Sequence, residues 1–251
     1  MKPINRRQAL KTGLVLIASA TAASIFRPVD AGPAEGDAYA GTFTGGVPWK
    51  SRPIVLPEPV TDDARVFFTD AEAALVAAIQ ERLIPADELG MSAVEAGCVR
   101  FVDHQLAGPF GQAASRYQRG PFREGTPEQG SQSRSTPADT YRRGLAEFDA
   151  HVREHTGHTF AELSPDARDA FLERMEAGDV RFRDVDGRAF FALLLQNVRE
   201  GYLADPIYGG NRDMVGWKMI GFPGARYDYR DYLGQIGKTI AIQPVSLIDH
   251  A

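Results

Sequence analysis

A single cysteine, Cys98, occurs among the 251 residues. One thiol excludes an internal disulfide framework, a CxxCH haem-attachment site and any cysteine-cluster zinc site built by this chain alone. Long apolar runs are missing too: no uncharged apolar stretch reaches the ~18 residues that a spanning helix needs. A basic surplus is missing as well. The formal net charge is -5, which gives no support to nucleic-acid binding. No G-x-G-x-x-G fingerprint follows a strand pattern, and no G-x-x-x-x-G-K-[ST] phosphate loop occurs. No G-x-S-x-G nucleophile elbow is present, nor an internal repeat, a low-complexity tract or βαβ alternation. What is there is enough for a core. Apolar residues make up 43% and aromatics 10% of the chain, which excludes a wholly disordered polypeptide.

The N-terminus reads as an address. Met1 to Lys11 is MKPINRRQALK, and Thr12 to Phe26 carries no charge. A positive n-region, a short apolar segment and a polar stretch make a signal peptide over residues 1–31. The adjacent Arg6 and Arg7 mark the twin-arginine (Tat) variant, with cleavage expected after Ala31. The alternative is an ordinary secretory signal or anchor with a chance arginine pair. Removing residues 1–31 takes away Lys2, Arg6, Arg7, Lys11 and Arg27 against Asp30, which moves the net charge from -5 to -9. That surface repels anionic lipid and nucleic acid. Tat carries folded cargo, often because a cofactor or partner is assembled before export. A Tat-addressed chain with no cofactor motif of its own therefore points to a partner.

Residues 32–60 are rich in glycine and proline and read as an extended arm. Its apolar residues, Tyr39, Phe43, Trp49, Ile54, Val55 and Leu56, suit a surface rather than a free linker. Residues 61–251 read as one mainly α-helical domain with long irregular segments and an irregular C-terminal tail. Thr69 with Glu72 forms a capping box ahead of Ala74, Leu75, Ala78, Ile79 and Leu83, and Pro85 stops that helix. Ser92 with Glu95 opens a second, burying Val94, Cys98, Phe101, Val102 and Leu106 until Gly108-Pro109. Residues 120–135 form a polar loop. Thr136-Pro137 opens a third helix, proline being pre-organised at the first helical position, and Gly157 ends it. Ser164-Pro165 opens a fourth, which runs to Gly178. Residues 188–203 form a fifth. Phe190, Phe191, Leu193, Leu194 and Leu195 make it apolar around most of its circumference, so it is the central helix. A short helix through residues 214–220 follows.

Three constellations bear on chemistry. His151, Glu154 and His155 form an H-x-x-E-H string, with His158 nearby. On a helix the two histidines share a face and can ligate zinc, with Glu154 as base, in a stand-alone periplasmic hydrolase. The plainer reading places the string in the last turn of a helix, where histidine favours the dipole and solvent. Cys98 either lies buried on its apolar face or pairs with another chain. Residues 205–224, DPIYGGNRDMVGWKMIGFPG, combine glycines with large anchors. Gly209 and Gly210 permit positive φ and close backbone approach. Tyr208, Trp217 and Phe222 are side chains of the kind that dominate interfaces, with Asn211, Arg212 and Asp213 among them. The segment is either a partner surface or a loop closing the chain's own core.

The leader NRRQALK, the stretch 67–110 and the stretch 204–224 together resemble the gluconate 2-dehydrogenase subunit 3 family. In the second stretch the resemblance lies in Leu83-Ile84-Pro85-Ala86-Asp87, Glu95-Ala96-Gly97 and Gln105-Leu106-Ala107-Gly108-Pro109. It implies a small (gamma) subunit of a membrane-bound dehydrogenase on the periplasmic face of the inner membrane. A large flavoprotein there holds FAD and oxidises the sugar acid, and a multihaem cytochrome c subunit passes the electrons to quinone. The small subunit carries no cofactor and no catalytic or metal residue. It supports maturation of the flavoprotein and its passage through the Tat translocon. Related small subunits serve glucose, fructose or sorbitol dehydrogenases, so the resemblance does not settle the substrate. It makes Tyr208, Gly209, Gly210, Asn211, Arg212, Asp213, Trp217 and Phe222 the expected partner interface. The remaining alternative is a free-standing periplasmic binding module.

Overall fold

A computed structural model describes residues 56–250, except 63, 117–119, 121, 124, 130–132 and 227–228. The leader with Arg6 and Arg7, the cleavage point after Ala31 and arm residues 32–55 lie outside the described residues. Pro57–Ala251 form one compact unit. The described chain is mainly helical, with α1 (Asp70–Leu83), α2 (Cys98–Ala107), α3 (Pro137–Thr156), α4 (Pro165–Ala177), α5 (Gly187–Leu203) and α6 (Val215–Ile220). Among the described residues there is no sheet, only isolated bridges from Asp87 to Gly90 and from Gly224 to Val245.

Local chemistry explains most of the helix ends. Thr69 Oγ1 accepts from Glu72 N, and the Glu72 carboxylate accepts from Thr69 N at 2.8 Å, so both ends of the capping box close. Thr136 makes the same box with Asp139, and Ser164 accepts from Ala167 N. Gly157 and Gly178 take left-handed conformations at the ends of α3 and α4, where a side chain would cost about 1 kcal/mol or more.

The second helix departs from expectation. Ser92 and Glu95 do exchange their hydrogen bonds, at 2.8 and 3.3 Å. They close a turn, however, and α2 begins only at Cys98. The cause is Gly97, whose φ of +83° interrupts any helix from Ser92. A Cβ at Gly97 would stand 2.6 Å from the Gly209 carbonyl oxygen. A long-range backbone contact therefore overrides a local start signal. Val94 is accordingly half-buried, while Cys98, Phe101, Val102 and Leu106 are buried as expected.

Helix α5 is central: it packs against α1, α2, α3, α4 and α6. Its Phe190 meets Tyr141 of α3 edge-on, with ring centroids 5.7 Å apart. Gly144 gives Phe190 room, since a Cβ there would approach the ring to 2.7 Å. Phe148 packs edge-on against Phe160 and Phe171, so aromatics bind α3 to α4. Such pairs add about 0.5–1.5 kcal/mol each beyond their buried area. The Tyr141 hydroxyl donates to Asn197 Oδ1 at 2.9 Å. Burial, and then the charge of Glu200, push its ionisation far above the usual phenol range. Arg82 of α1 grips Asp169 of α4 through two nitrogens at 2.7 and 2.6 Å. This planar pairing is the ion-pair geometry that adds specificity.

Asp103 of α2 is buried and accepts from the backbone N–H groups of Val66, Phe67 and Phe68 at 2.7, 3.1 and 2.6 Å. This one carboxylate turns the chain into α1. Asp103→Ala strands those donors and is expected to cost about 2–4 kcal/mol. Urea unfolding checks the effect, and an unchanged midpoint would remove Asp103 from the account of how α1 is docked.

Candidate partner-binding face

The segment after α5 is built against that helix's C-terminal end. The last carbonyls of a helix have no intrahelical donors, and here distant groups supply them. Trp217 Nε1 donates to Leu203 O at 2.7 Å, and Asn211 Nδ2 donates to Ala204 O at 2.8 Å. Asn211 Oδ1 in turn accepts from Gly216 N at 2.8 Å, which fixes the start of α6. Asn211 is fully buried and Trp217 is 5% exposed. Close backbone approach sets the glycine positions. A Cβ at Gly210 would lie 2.2 Å from Gly201 O, and one at Gly216 would lie 2.0 Å from Tyr202 O. Gly209 has φ +90° and gives its carbonyl to Arg100 Nε at 3.0 Å.

Backbone strain concentrates in the same place. Asn211, Asp213 and Met214 all have positive φ, at +47°, +56° and +55°. Each such non-glycine residue costs of order 1 kcal/mol, retained only where the surroundings over-determine it. The Asn211 bonds and the contact of Arg212 N with Ala96 O at 3.0 Å supply that constraint. Asp205 secures the other end. It accepts from Ile207 N, Ser246 Oγ and Leu247 N at 3.0, 2.7 and 2.9 Å, which joins the segment to the C-terminal residues.

The eight residues expected at an interface thus divide by layer. Gly210, Asn211 and Trp217 face inward against the end of α5, and Gly209 is buried against Arg100 and Gly97. Tyr208, Arg212, Asp213 and Phe222 are exposed. Phe222 stands edge-on to Trp217 at 5.2 Å, so the buried indole supports the exposed ring. Arg212 also lines a pocket of about 190 Å³ with Arg65, Arg100 and Asp103. The inward side closes the chain's own core, and the outward side is exposed, as a partner surface would have to be. Ile220 at the end of α6, together with Leu233 and Ile236 in the tail, is exposed too. Sequence reasoning passed over these three. Their only signal was apolar residues in a stretch without a regular period.

The other constellations resolve geometrically. His151 and His155 lie one turn apart with rings stacked at 4.0 Å, and His155 Nδ1 is 2.8 Å from His151 O. Burial first, then His155 and Arg174, hold the His151 ring below its ordinary pKa. Among the described residues no group of three His, Cys, Asp or Glu side chains converges as metal ligands do. Cys98 is fully buried with Ile84, Ala93, Ala96, Val198 and Tyr202. A bridge to another chain would require that cluster to open.

The model of one family, gluconate 2-dehydrogenase subunit 3, matches residues 70–224. No curated protein and no solved structure matches the chain. The matched span runs from the first residue of α1 to the glycine that closes the capping segment, which is the whole helical body and more than half of the chain. On that span, the chain belongs to the gluconate 2-dehydrogenase subunit 3 family.

Proposed function

We propose that this chain is the non-catalytic small subunit of a periplasmic, membrane-bound, FAD-dependent gluconate 2-dehydrogenase. In this reading a large flavoprotein oxidises gluconate to 2-keto-gluconate and passes electrons to a cytochrome c subunit and then to quinone. FAD and haem c reside on those partners. The small subunit supports maturation of the flavoprotein and carries it through the Tat translocon. The match of the whole helical body to a family of dehydrogenase subunits carries the reading. Two further observations support it: the Arg6-Arg7 leader, and a strained segment that caps α5 while presenting aromatic side chains outward.

The test is purification of the tagged chain from detergent-solubilised membranes. It should bring down a yellow, FAD-containing subunit and a haem-containing one, with gluconate-dependent reduction of an artificial acceptor. The chain stripped of those partners should show no turnover. Turnover of a substrate by the isolated chain would defeat the proposal. Tyr208→Ala combined with Phe222→Ala removes two exposed rings and should weaken flavoprotein retention at least about 10-fold, because aromatic anchors dominate interface energy. Trp217 is unsuited to this test because its indole is structural: Trp217→Ala should destabilise the subunit itself by about 3–5 kcal/mol.

A further inference from the structure

The pocket of about 190 Å³ beside the first turn of α2 carries a charge opposite to that of the chain. Three arginines from three separate stretches converge on it: Arg65 ahead of α1, Arg100 in α2 and Arg212 after α5. The chain as a whole is acidic, at -5. Like charges gathered in one cleft repel one another, and apolar walls focus their field. Ala73, Val94 and Val99 supply such walls. Among the described residues Asp103 is the one acid in the lining. It is 2% exposed, and its oxygens already accept from Val66, Phe67 and Phe68 N. It therefore offsets one guanidinium at most. The arginines are held in place. Arg100 Nε donates to Gly209 O at 3.0 Å, and its Nη2 lies 3.6 Å from where a Cβ on Gly97 would stand. Arg65 is tied to Asp70 of α1. Arg212 is anchored through its backbone, whose N–H donates to Ala96 O at 3.0 Å between the left-handed Asn211 and Asp213. Among the described residues its guanidinium has no hydrogen-bond or ion-pair partner. The first turn of α2, which borders the pocket at Val99 and Arg100, has no side-chain cap and no acidic residue.

We propose that this pocket binds a small-molecule oxyanion, a carboxylate or phosphate group on a compact polar metabolite. Guanidinium is the side chain that matches both groups, through paired N–H donors. Half-buried Arg100 forms the floor, and exposed Arg65 and Arg212 form the rim. An occupant of this kind cancels the repulsion among the three guanidiniums and gives Arg212 the partner it lacks within the described residues. The volume sets the size of the ligand. It is roughly six times the ~30 Å³ that one water occupies in the liquid, and it lies below the ~300–1,000 Å³ of sites for drug-sized molecules. An oxyanion group with a few carbons attached fits that range. An acidic side chain of a partner protein offers the same chemistry, but none of the exposed large apolar residues lines this pocket, and protein interfaces rely on such anchors. The small molecule is therefore favoured. The proposal goes beyond the small-subunit reading and stands or falls without it.

The test is a thermal melt of the purified full chain with inorganic phosphate or succinate, each compared with sodium chloride at equal ionic strength. A ligand that binds only the folded state raises the melting temperature in a concentration-dependent way. At least one of the two probes should give such a rise where chloride does not, and calorimetric titration should show a single saturable site. Arg212→Gln should weaken that binding at least about 10-fold, the loss expected on removing one charge-assisted hydrogen bond. It should not lower the melting temperature measured without the anion, because the guanidinium holds no other group and its removal relieves repulsion. Arg65→Gln, elsewhere on the rim, should show the same loss and keeps the test decisive if Arg212→Gln folds poorly. Arg181→Gln removes the same charge outside the pocket and should leave binding unchanged. No saturable binding of either probe overturns the proposal, as does wild-type affinity in both rim variants. An equal loss in Arg181→Gln and Arg212→Gln would make the effect one of net charge and would also overturn it. If neither anion binds and the Arg212→Gln chain loses a protein that the wild-type chain retains, the pocket seats a partner's acidic side chain and the small-molecule assignment falls.

Discussion

Gly216→Ala is expected to lower the stability of this subunit by about 3 kcal/mol or more, the upper range for overpacking against unyielding neighbours. The added methyl would stand 2.0 Å from the Tyr202 carbonyl oxygen and 3.0 Å from the Tyr202 ring. A backbone carbonyl at the end of a central helix cannot swing aside as a flexible side chain can. Either α6 lifts from α5 or the end of α5 unwinds. Both routes break the same set of bonds, from Gly216 N to Asn211, from Asn211 to Ala204 and from Trp217 to Leu203. For a domain of this size the shift in melting temperature should be about 6–12 °C. Gly234→Ala is the control, because nothing lies within 4 Å of the added Cβ. It should change stability by no more than about 0.5 kcal/mol. Thermal melts of the two variants decide the matter, and equal melting temperatures would show that the close contact at Gly216 does not hold α6 in place.

Replacing Arg6 and Arg7 together by lysine should nearly abolish delivery of dehydrogenase activity to the periplasm. Lysine preserves the charge of the leader but not the planar, five-donor guanidinium. A receptor that reads the arginine pair should therefore fail even though the n-region stays positive. Because the flavoprotein is proposed to travel only as bound cargo, it should accumulate in the cytoplasm together with this chain. Fractionation followed by acceptor reduction in each compartment measures both at once. If this chain is retained while the flavoprotein still reaches the periplasm, the partner has its own route and the escort role is wrong. The Gly216 and Arg6/Arg7 variants act at different levels. One disturbs the packing beneath the proposed partner face, and the other leaves that face intact and removes the proposed export address.

Legibility from sequence followed the range of the interaction. Thr69 with Glu72, Thr136 ahead of Pro137, Ser164 ahead of Pro165, and Gly157 and Gly178 at helix ends all act within a few residues. Each was readable because donor, acceptor and φ belong to one turn of chain. The central role of α5 was readable too, since apolar residues around most of a helix leave only burial as a stable outcome. The resemblance to a dehydrogenase small subunit rests on the leader and on residues 67–110 and 204–224, and the family match, over residues 70–224, covers nearly all of the last two but not the leader.

The tertiary structure decided what depends on residues far apart in the chain. Ser92 and Glu95 carry a helix-start signal and make its hydrogen bonds, yet Gly209, more than a hundred positions later, presses Gly97 into a left-handed turn and delays the helix to Cys98. Trp217 and Phe222 look alike as anchors in sequence. One is buried and the other exposed because the open carbonyls at the end of α5 capture the indole N–H of Trp217 alone. The outward turn of Leu233 and Ile236 was likewise hidden, since it depends on the pairing of Gly224 with Val245 across the foot of the loop. Sequence by itself determined the helices, their caps and the kinship, all of which rest on short-range physics and continuous pattern. Only the packed chain decided which side of the segment after α5 holds the fold together and which remains open to a partner. That choice is made by backbone contacts between elements with no local signature.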